Sequence, residues 1–262
     1  CIADLEANAD NRTSLEDAHR IAVDNVADLL ALGLDEKNAY IYKQSNNVHV
    51  LRLAHLFAGR TTLATLESLY GHQNLGLYSS VLVQAGDIMF PMLDEFGMDR
   101  VVVPVGPDQD PHIRLSRDLA AKFEKDYGFT LPSAIFHKFF RSLDGTTKMS
   151  KRDESKVLFM GDGAAEAKKK VMRALTGGRA TEEEQRRLGA EYAKCVVGEL
   201  DRFHFEESDK EVEARKQKCL TGKIMCGECK GEVAEKVAAR LHEHQEKKRK
   251  LMKKAEKILE SA

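Results

Sequence analysis

The sequence predicts an open, doubly wound α/β sheet over residues 1–157, followed by an all-helical domain over residues 158–262. Three observations carry that expectation. Short apolar or β-branched runs alternate with segments of helical spacing in the first part. The run at 100–105, RVVVPV, reads as a buried parallel strand. After about residue 156 the β signals stop and helical spacing alone remains.

The elements follow in order. Residues 1–6 form a short apolar run with polar ends, as at the end of a strand. Thr13-Ser14-Leu15-Glu16 has the pattern of a capping box. Ala18, Ile21, Ala22, Val26, Leu29 and Leu30 then recur at helical spacing, and Gly33 is the expected stop. Residues 39–44, AYIYKQ, read as the next strand. Helices are expected at about 47–58, 61–70 and 79–96, with a loop at 71–78 between the last two. After RVVVPV, Gly106-Pro107 turns the chain into a helix at about 111–126. In the second part, 164–176, 181–197, 210–219 and 226–261 read as helices.

Composition narrows the class. A chain of 262 residues with 42% apolar and 32% charged residues has the balance of a globular protein with two modest domains. No apolar stretch is long enough to span a bilayer, so no membrane partner is expected. The start, Cys1-Ile2-Ala3-Asp4, lacks the basic segment and cleavage site of a signal peptide, and the expected compartment is the cytoplasm. The chain starts without Met, directly in an apolar run, which reads as a missing N-terminus. Net charge is −1, so the chain as a whole is no polycation. From Arg240 onward, however, eight Lys/Arg face four Glu. Such a tail helix suits nucleic acid, or equally a solvated face of i,i+4 pairs.

Four stretches carry chemistry. The sharpest is Lys148-Met149-Ser150-Lys151-Arg152, just after the glycine-containing turn Asp144-Gly145-Thr146-Thr147. Two lysines and a small hydroxyl on a loop suit a polyphosphate, although K-x-S-K is also common on surface loops. The second is Gly106-Pro107-Asp108-Gln109-Asp110-Pro111-His112, which continues through Arg117-Asp118. A strand end followed by a helix N-terminus presents free N–H groups. Asp108 there can accept from ribose hydroxyls and Gln109 can bond either end of an amino acid; alternatively, Asp108 and Asp110 cap the helix. The third is Val83-Gln84-Ala85-Gly86-Asp87-Ile88, in which Gln84 and Asp87 share one helical face. The other reading of Asp87 is a buried carboxylate satisfied by backbone donors. The fourth is Ile2-Ala3-Asp4-Leu5-Glu6-Ala7, where Glu6 either faces a ligand or caps a helix.

Together these stretches resemble the class I aminoacyl-tRNA synthetases of the tryptophan/tyrosine branch, whose nucleotide fold is Rossmann-like. Lys148, Met149, Ser150 and Lys151 match the KMSKS signature loop in type and place; Arg152 replaces its usual final Ser. The G-P-D-Q-D-P-H-I-R-L-S-R-D run and Ala174-Leu175-Thr176-Gly177-Gly178-Arg179-Ala180-Thr181-Glu182-Glu183 are similar to the tryptophan enzymes of the archaeal and eukaryotic type. The resemblance covers essentially the whole chain. It implies that Gly106, Asp108, Lys148, Met149, Ser150 and Lys151 hold ATP with Mg2+, with Lys148 and Lys151 catalytic. It implies that Glu6, Gln84, Asp87 and Gln109 hold the amino acid. In this branch the Asp87 position accepts the indole N–H or the phenol hydroxyl, so Asp87 alone does not separate tryptophan from tyrosine. The family's HIGH-like ATP element is expected upstream of the I-A-D strand.

Five cysteines without a secretory signal do not suggest a disulfide framework. Cys195, Cys219, Cys226 and Cys229 have the spacing C-x23-C-x6-C-x2-C. Four soft thiolates suit zinc or a [4Fe–4S] cluster; four packed thiols are the remaining reading. Some tryptophan enzymes carry a [4Fe–4S] cluster at nearly this spacing, and that resemblance puts the cluster first. The implied activity is a tryptophan–tRNA ligase acting on tryptophan, ATP and tRNA(Trp), expected as a homodimer, with the helical domain binding tRNA. The alternatives are a tyrosine enzyme and a synthetase-like protein that binds RNA or an amino acid without ligase activity.

Overall fold

The computed structural model describes residues 1–11, 14–146, 149 and 153–260. The chain packs into two compact units: residues 1–138 together with those from 250 onward, and residues 139–249. The division thus falls at 138/139, not at 157/158, and the C-terminal turns group with the first unit. Ala255 and Leu259, one helical turn apart, account for this: both are fully buried in a cluster with Ala22, Val26 and Leu30.

In the first unit Ile2 makes a single parallel bridge to Lys43, and helix α1 (Asp4–Asn11) follows. Helix α2 (Leu15–Ala31) is capped by Ser14, whose hydroxyl accepts from the Asp17 N–H at 3.1 Å. The expected capping box therefore sits one residue later, with Asp17 in the third helical position. Gly33, at φ +103°, lies just past the C-cap of α2, as expected. Of residues 39–44, expected as a strand, 39–43 are extended and join a ladder at Lys43 alone among the described residues, while Gln44 opens a short 3-10 turn, Gln44–Asn46. Helices α3 (Val48–Ala58), α4 (Leu63–Tyr70) and α5 (Leu75–Met89) are capped by Asn47, Thr62 and Asn74. Asn74 is why α5 starts ahead of the expected residue 79: its side-chain oxygen accepts the Leu77 N–H at 3.0 Å. Gly86 lets α5 press onto α3. A Cβ at that position would lie 2.6 Å from the Val50 carbonyl oxygen, so the helices can come this close only without one.

Strand β1 (Val102–Val105) pairs in parallel with β2 (Ser133–Phe136), and helix α6 (Asp110–Tyr127) forms the crossover between them. The register matches Val102 with Ser133 and Val105 with Phe136. This is the α/β arrangement expected, but β1 is not buried on both faces. Val101, Val103 and Val105 pack on the core of α3, α5 and α6, whereas Val102 is 56% exposed. Alternation across the pleat sends one set of valines inward and leaves the other on the open face. Strand β2 escaped the sequence reading because SAIF is short and its Ile135 and Phe136 are exposed.

The second unit is helical, as expected. It contains α7 (Ala164–Arg173), α8 (Glu182–Leu188), α9 (Val196–Leu200), α10 (Asp209–Leu220) and most of α11 (Cys226–Glu260). Its core joins Val171, Val196, Val197, Val233, Val237 and Leu241. The single helix expected at 181–197 is broken after Leu188, where Gly189 takes φ +70°. After α9 a wide helical turn, Asp201–Phe205, buries Asp201, which pairs with Arg215 at 3.0 Å and Lys236 at 3.2 Å. These partners bring α10 and α11 to the turn and compensate the buried charge. Among the described residues no helix is long and apolar enough to cross a membrane.

Candidate amino-acid site

A cleft of about 720 Å3 opens in the first unit beside β1. Its walls are the start of α1, the segment 40–44, α5 and β1 itself. Glu6, Gln84 and Asp87, three of the residues expected to hold an amino acid, line it. Much of the rest is aromatic or apolar: Tyr40, Tyr42, Phe90, Phe96 and Met98. Such a lining with a few convergent polar groups suits a flat, largely apolar ligand.

Asp87 is the polar centre of this cleft. The Tyr42 hydroxyl donates to its Oδ1 at 2.8 Å and the Gln44 side-chain amide to its Oδ2 at 2.6 Å. The carboxylate is thus satisfied by two side chains rather than by backbone donors. Burial pushes its pKa above the usual carboxylate range, while the Gln44 and Tyr42 hydrogen bonds pull it back. The Tyr42 phenol is held well above its ordinary range, by burial first and then by the Asp87 charge, so it stays a donor. Its ring stacks on Tyr40 at 5.3 Å and meets the edge of Phe90 at 5.0 Å. Tyr40 is 64% exposed along the cleft.

One turn before Asp87 on α5, the Gln84 amide donates to Gln109 Oε1 at 2.8 Å. Gln109 ends the turn Pro107–Gln109 that follows Gly106 at the end of β1, and it is the N-cap residue of α6 without a capping side-chain bond. The structure thus joins two of the expected substrate residues, Gln84 and Gln109, directly. Asp110 pairs with Arg114 at 2.7 Å rather than capping α6. Asp108 acts electrostatically on His112, whose pKa burial lowers and the Asp108 charge partly restores.

In the second unit the glycine-containing turn ahead of the lysine loop is organised by Asp144. Its Oδ1 accepts the Thr146 N–H at 3.0 Å and the Ser142 and Thr146 hydroxyls at 2.5 and 2.7 Å. Those bonds hold the carboxyl well below its usual range. The Met149 N–H donates to the Phe140 carbonyl at 3.0 Å. Lys148, Ser150, Lys151 and Arg152 lie outside the described residues.

A family model, tRNA synthetases class I (W and Y), matches residues 1–242. The chain belongs to this family. It is similar to the tryptophan–tRNA ligase of Aeropyrum pernix, with 44% identity over 262 residues, covering 99% of this chain and 70% of that protein. The Methanocaldococcus jannaschii tryptophan–tRNA ligase is 39% identical over 266 residues, with 99% and 71% coverage. Among solved structures, the tryptophanyl-tRNA synthetase of Aeropyrum pernix superposes with a TM-score of 0.94 at 43% identity, covering 98% of this chain and 71% of that one. The Plasmodium falciparum tryptophanyl-tRNA synthetase gives 0.83 at 25% identity, with 98% and 68% coverage.

The synthetase's four clustered cysteines lie in the second unit and are all free thiols. Cys195 Sγ accepts from the Gly198 N–H at 3.3 Å, and the Gln185 amide donates to Cys226 Sγ at 3.4 Å. Burial pushes the Cys229 thiol up, and the charge of Arg215 partly offsets this. Burial pushes the Cys219 thiol up to about 11, with further contributions from Cys195, Cys226 and Cys229. Two of the four, Cys195 and Cys226, thus accept hydrogen bonds from N–H donors. Among the described residues, however, no group of three or more His, Cys, Asp or Glu stands in a metal-holding arrangement.

Tyr42 and Gln44 are the site residues that the sequence reading missed. Part of their signal was present: in the extended segment Tyr40 and Tyr42 fall on one face, two residues apart, while Gln44 sits just after it at the start of a 3-10 turn. Read as a strand, AYIYKQ offered that face to the core, and nothing local said that it met Asp87.

Proposed function

We propose that this synthetase is a tryptophan–tRNA ligase whose Asp87 cleft takes the tryptophan side chain. The observation that carries the reading is the half-buried carboxylate set in an aromatic wall, with Gln84, Gln109 and Glu6 nearby. The tryptophan carboxylate attacks the α-phosphorus of ATP, giving tryptophanyl-adenylate and pyrophosphate. The 3′-terminal ribose hydroxyl of tRNA(Trp) then takes the acyl group. The protein contributes orientation and charge stabilisation rather than a covalent step. Asp87 accepts the indole N–H, and Glu6, Gln84 and Gln109 hold the amino-acid end. Gly106 and Asp108 approach the ribose. Lys148, Met149, Ser150 and Lys151 hold the phosphates of Mg·ATP, and the proposed compartment is the cytoplasm. The test is pyrophosphate–ATP exchange by the full-length protein with tryptophan and tyrosine compared. Exchange with tryptophan alone supports the reading; equal exchange with tyrosine points to the tyrosine enzyme, and none with either to a non-ligase binder.

Lys148 and Lys151 act on the leaving pyrophosphate more than on ground-state ATP. Lys148→Ala is expected to lower kcat of exchange about tenfold or more, with little change in tryptophan affinity. A main effect on tryptophan binding would remove the loop from this role.

A homodimer is proposed through the face bearing Val48, Leu51, Leu63 and Leu75. Leu75 is 82% exposed, and Leu51, Leu63 and Leu75 line one apolar groove. Sedimentation at micromolar concentration should give a dimer and Leu75→Glu a monomer; a monomeric parent protein would rule the face out.

The four cysteines are proposed to hold a [4Fe–4S] cluster, on the strength of their C-x23-C-x6-C-x2-C spacing and of the N–H donors to Cys195 and Cys226. Bound, such a cluster pins helical segments and moves no electrons in aminoacylation. Protein prepared without oxygen should contain iron and absorb broadly in the visible, and Cys229→Ser should remove both. Zinc without iron would make this a structural zinc site, and neither metal would leave four packed thiols.

A further inference from the structure

The Asp87 carboxylate does not choose its own orientation. Each of its oxygens already accepts one hydrogen bond, from the Tyr42 hydroxyl and from the Gln44 amide. Both donors come from a segment bolted to the start of α1. The Ile2 N–H donates to the Tyr42 carbonyl at 2.8 Å and the Gln44 N–H to the Ile2 carbonyl at 3.1 Å. The next residue, Ser45, donates its N–H to Asp4 Oδ1 at 3.1 Å. Gln44 is 1% exposed, and its side-chain oxygen accepts the Glu6 N–H at 3.4 Å, so the amide has little freedom to turn. The Tyr42 ring is boxed by Tyr40 and Phe90.

A carboxylate offers about four lone-pair directions in its plane. With one direction on each oxygen taken by a fixed donor, rotation of the group is stopped and the remaining directions are set. We infer that Tyr42 and Gln44 are positioning residues that hold Asp87 as an oriented acceptor, so that selection of a single in-plane ring N–H belongs to three residues rather than one. This rests on the proposed reading of Asp87 as the ring acceptor. It goes beyond that reading by assigning the discrimination to the segment at 42–44. The ligand class is an aromatic amino acid whose bicyclic ring carries one N–H donor. A ring of the same shape without that donor leaves the oriented acceptor unpaired, and unpaired buried acceptors are what a site rejects most strongly.

The experiment compares tryptophan with its benzothienyl analogue, in which sulfur replaces the ring N–H, in pyrophosphate–ATP exchange. Full-length parent protein, Tyr42→Phe and Gln44→Met are assayed side by side, with thermal melting to confirm folding. The expected result is a fall of about tenfold in kcat/KM for tryptophan, carried by KM, in each variant. The value for the analogue should change less than about twofold, so that discrimination between the two amino acids collapses. Equal losses for both amino acids, or a loss carried by kcat, would show a structural role and overturn the inference. Discrimination unchanged in both variants would overturn it as well, while leaving the Asp87 reading intact. A parent protein that uses both amino acids equally would refute the Asp87 reading itself, and the inference with it.

Discussion

Asp87→Ala lowers kcat/KM for tryptophan about 10²-fold or more, the scale of one lost charged hydrogen bond in a desolvated site. The substitution removes the acceptor for the ring N–H and strands two donors, the Tyr42 hydroxyl and the Gln44 amide. Two consequences separate in the data. Loss of the ligand bond appears in exchange kinetics with tryptophan and is much smaller with an analogue lacking the ring N–H. Loss of the internal bonds appears as a fall in stability of about 1–3 kcal/mol, read from denaturant unfolding. Asp87→Asn keeps a side-chain oxygen but presents an N–H2 to one of two donors, so it is expected to be as poor for tryptophan. An unchanged kcat/KM in Asp87→Ala would remove Asp87 from the site.

Gly189→Ala unfolds or severely weakens the second unit. Gly189 sits at φ +70° and ψ 174°, just past the end of α8. That region of backbone space is essentially reserved for glycine. A Cβ there would also lie 1.9 Å from the Leu220 carbonyl oxygen and 2.4 Å from its carbon. The obstacle is the backbone at the end of α10, which cannot swing aside as a side-chain tip can. Backbone strain and the clash act together, and a loss of about 3 kcal/mol or more is expected. Gly161→Ala is the matched control, because its φ lies outside the left-handed region and nothing lies within 4 Å of the added Cβ. Denaturant unfolding of the two variants decides the matter: equal midpoints would show that the α8–α10 approach relaxes freely.

The helices of this protein were legible because their information is local. Ser14, Asn47 and Thr62 each cap the helix that begins one residue later, and the bond reaches no further than three residues; Asn74 caps α5 in the same local way, though the sequence reading placed a loop there. Helical spacing likewise placed Gln84 and Asp87 on one face, and both line the cleft. The G-P-D-Q turn after a β-branched strand could be read directly, and Gln109 does meet Gln84 there.

The partner set of Asp87 was a different matter. Tyr42 and Gln44 lie 45 and 43 residues from Asp87, and no periodicity within AYIYKQ encodes that meeting. The burial of β1 was misjudged for a related reason. Its sequence states that the residues are β-branched, but only packing decides which face of the pleat is covered, and Val102 remains on the open one. Strand β2 and the grouping of Ala255 and Leu259 with α2 are likewise matters of long-range contact.

The sequence by itself determined the α/β-then-helical order, the family motifs and the single face that carries Gln84 and Asp87. Hydrogen bonds closing within four residues and side-chain periodicity are written in the local chain. The tertiary structure alone decided how the Asp87 carboxylate is aimed, which valines of β1 pack on the core and where the compact units divide. Those outcomes depend on contacts between residues far apart in sequence, and loop closure and burial settle them only when the whole chain packs.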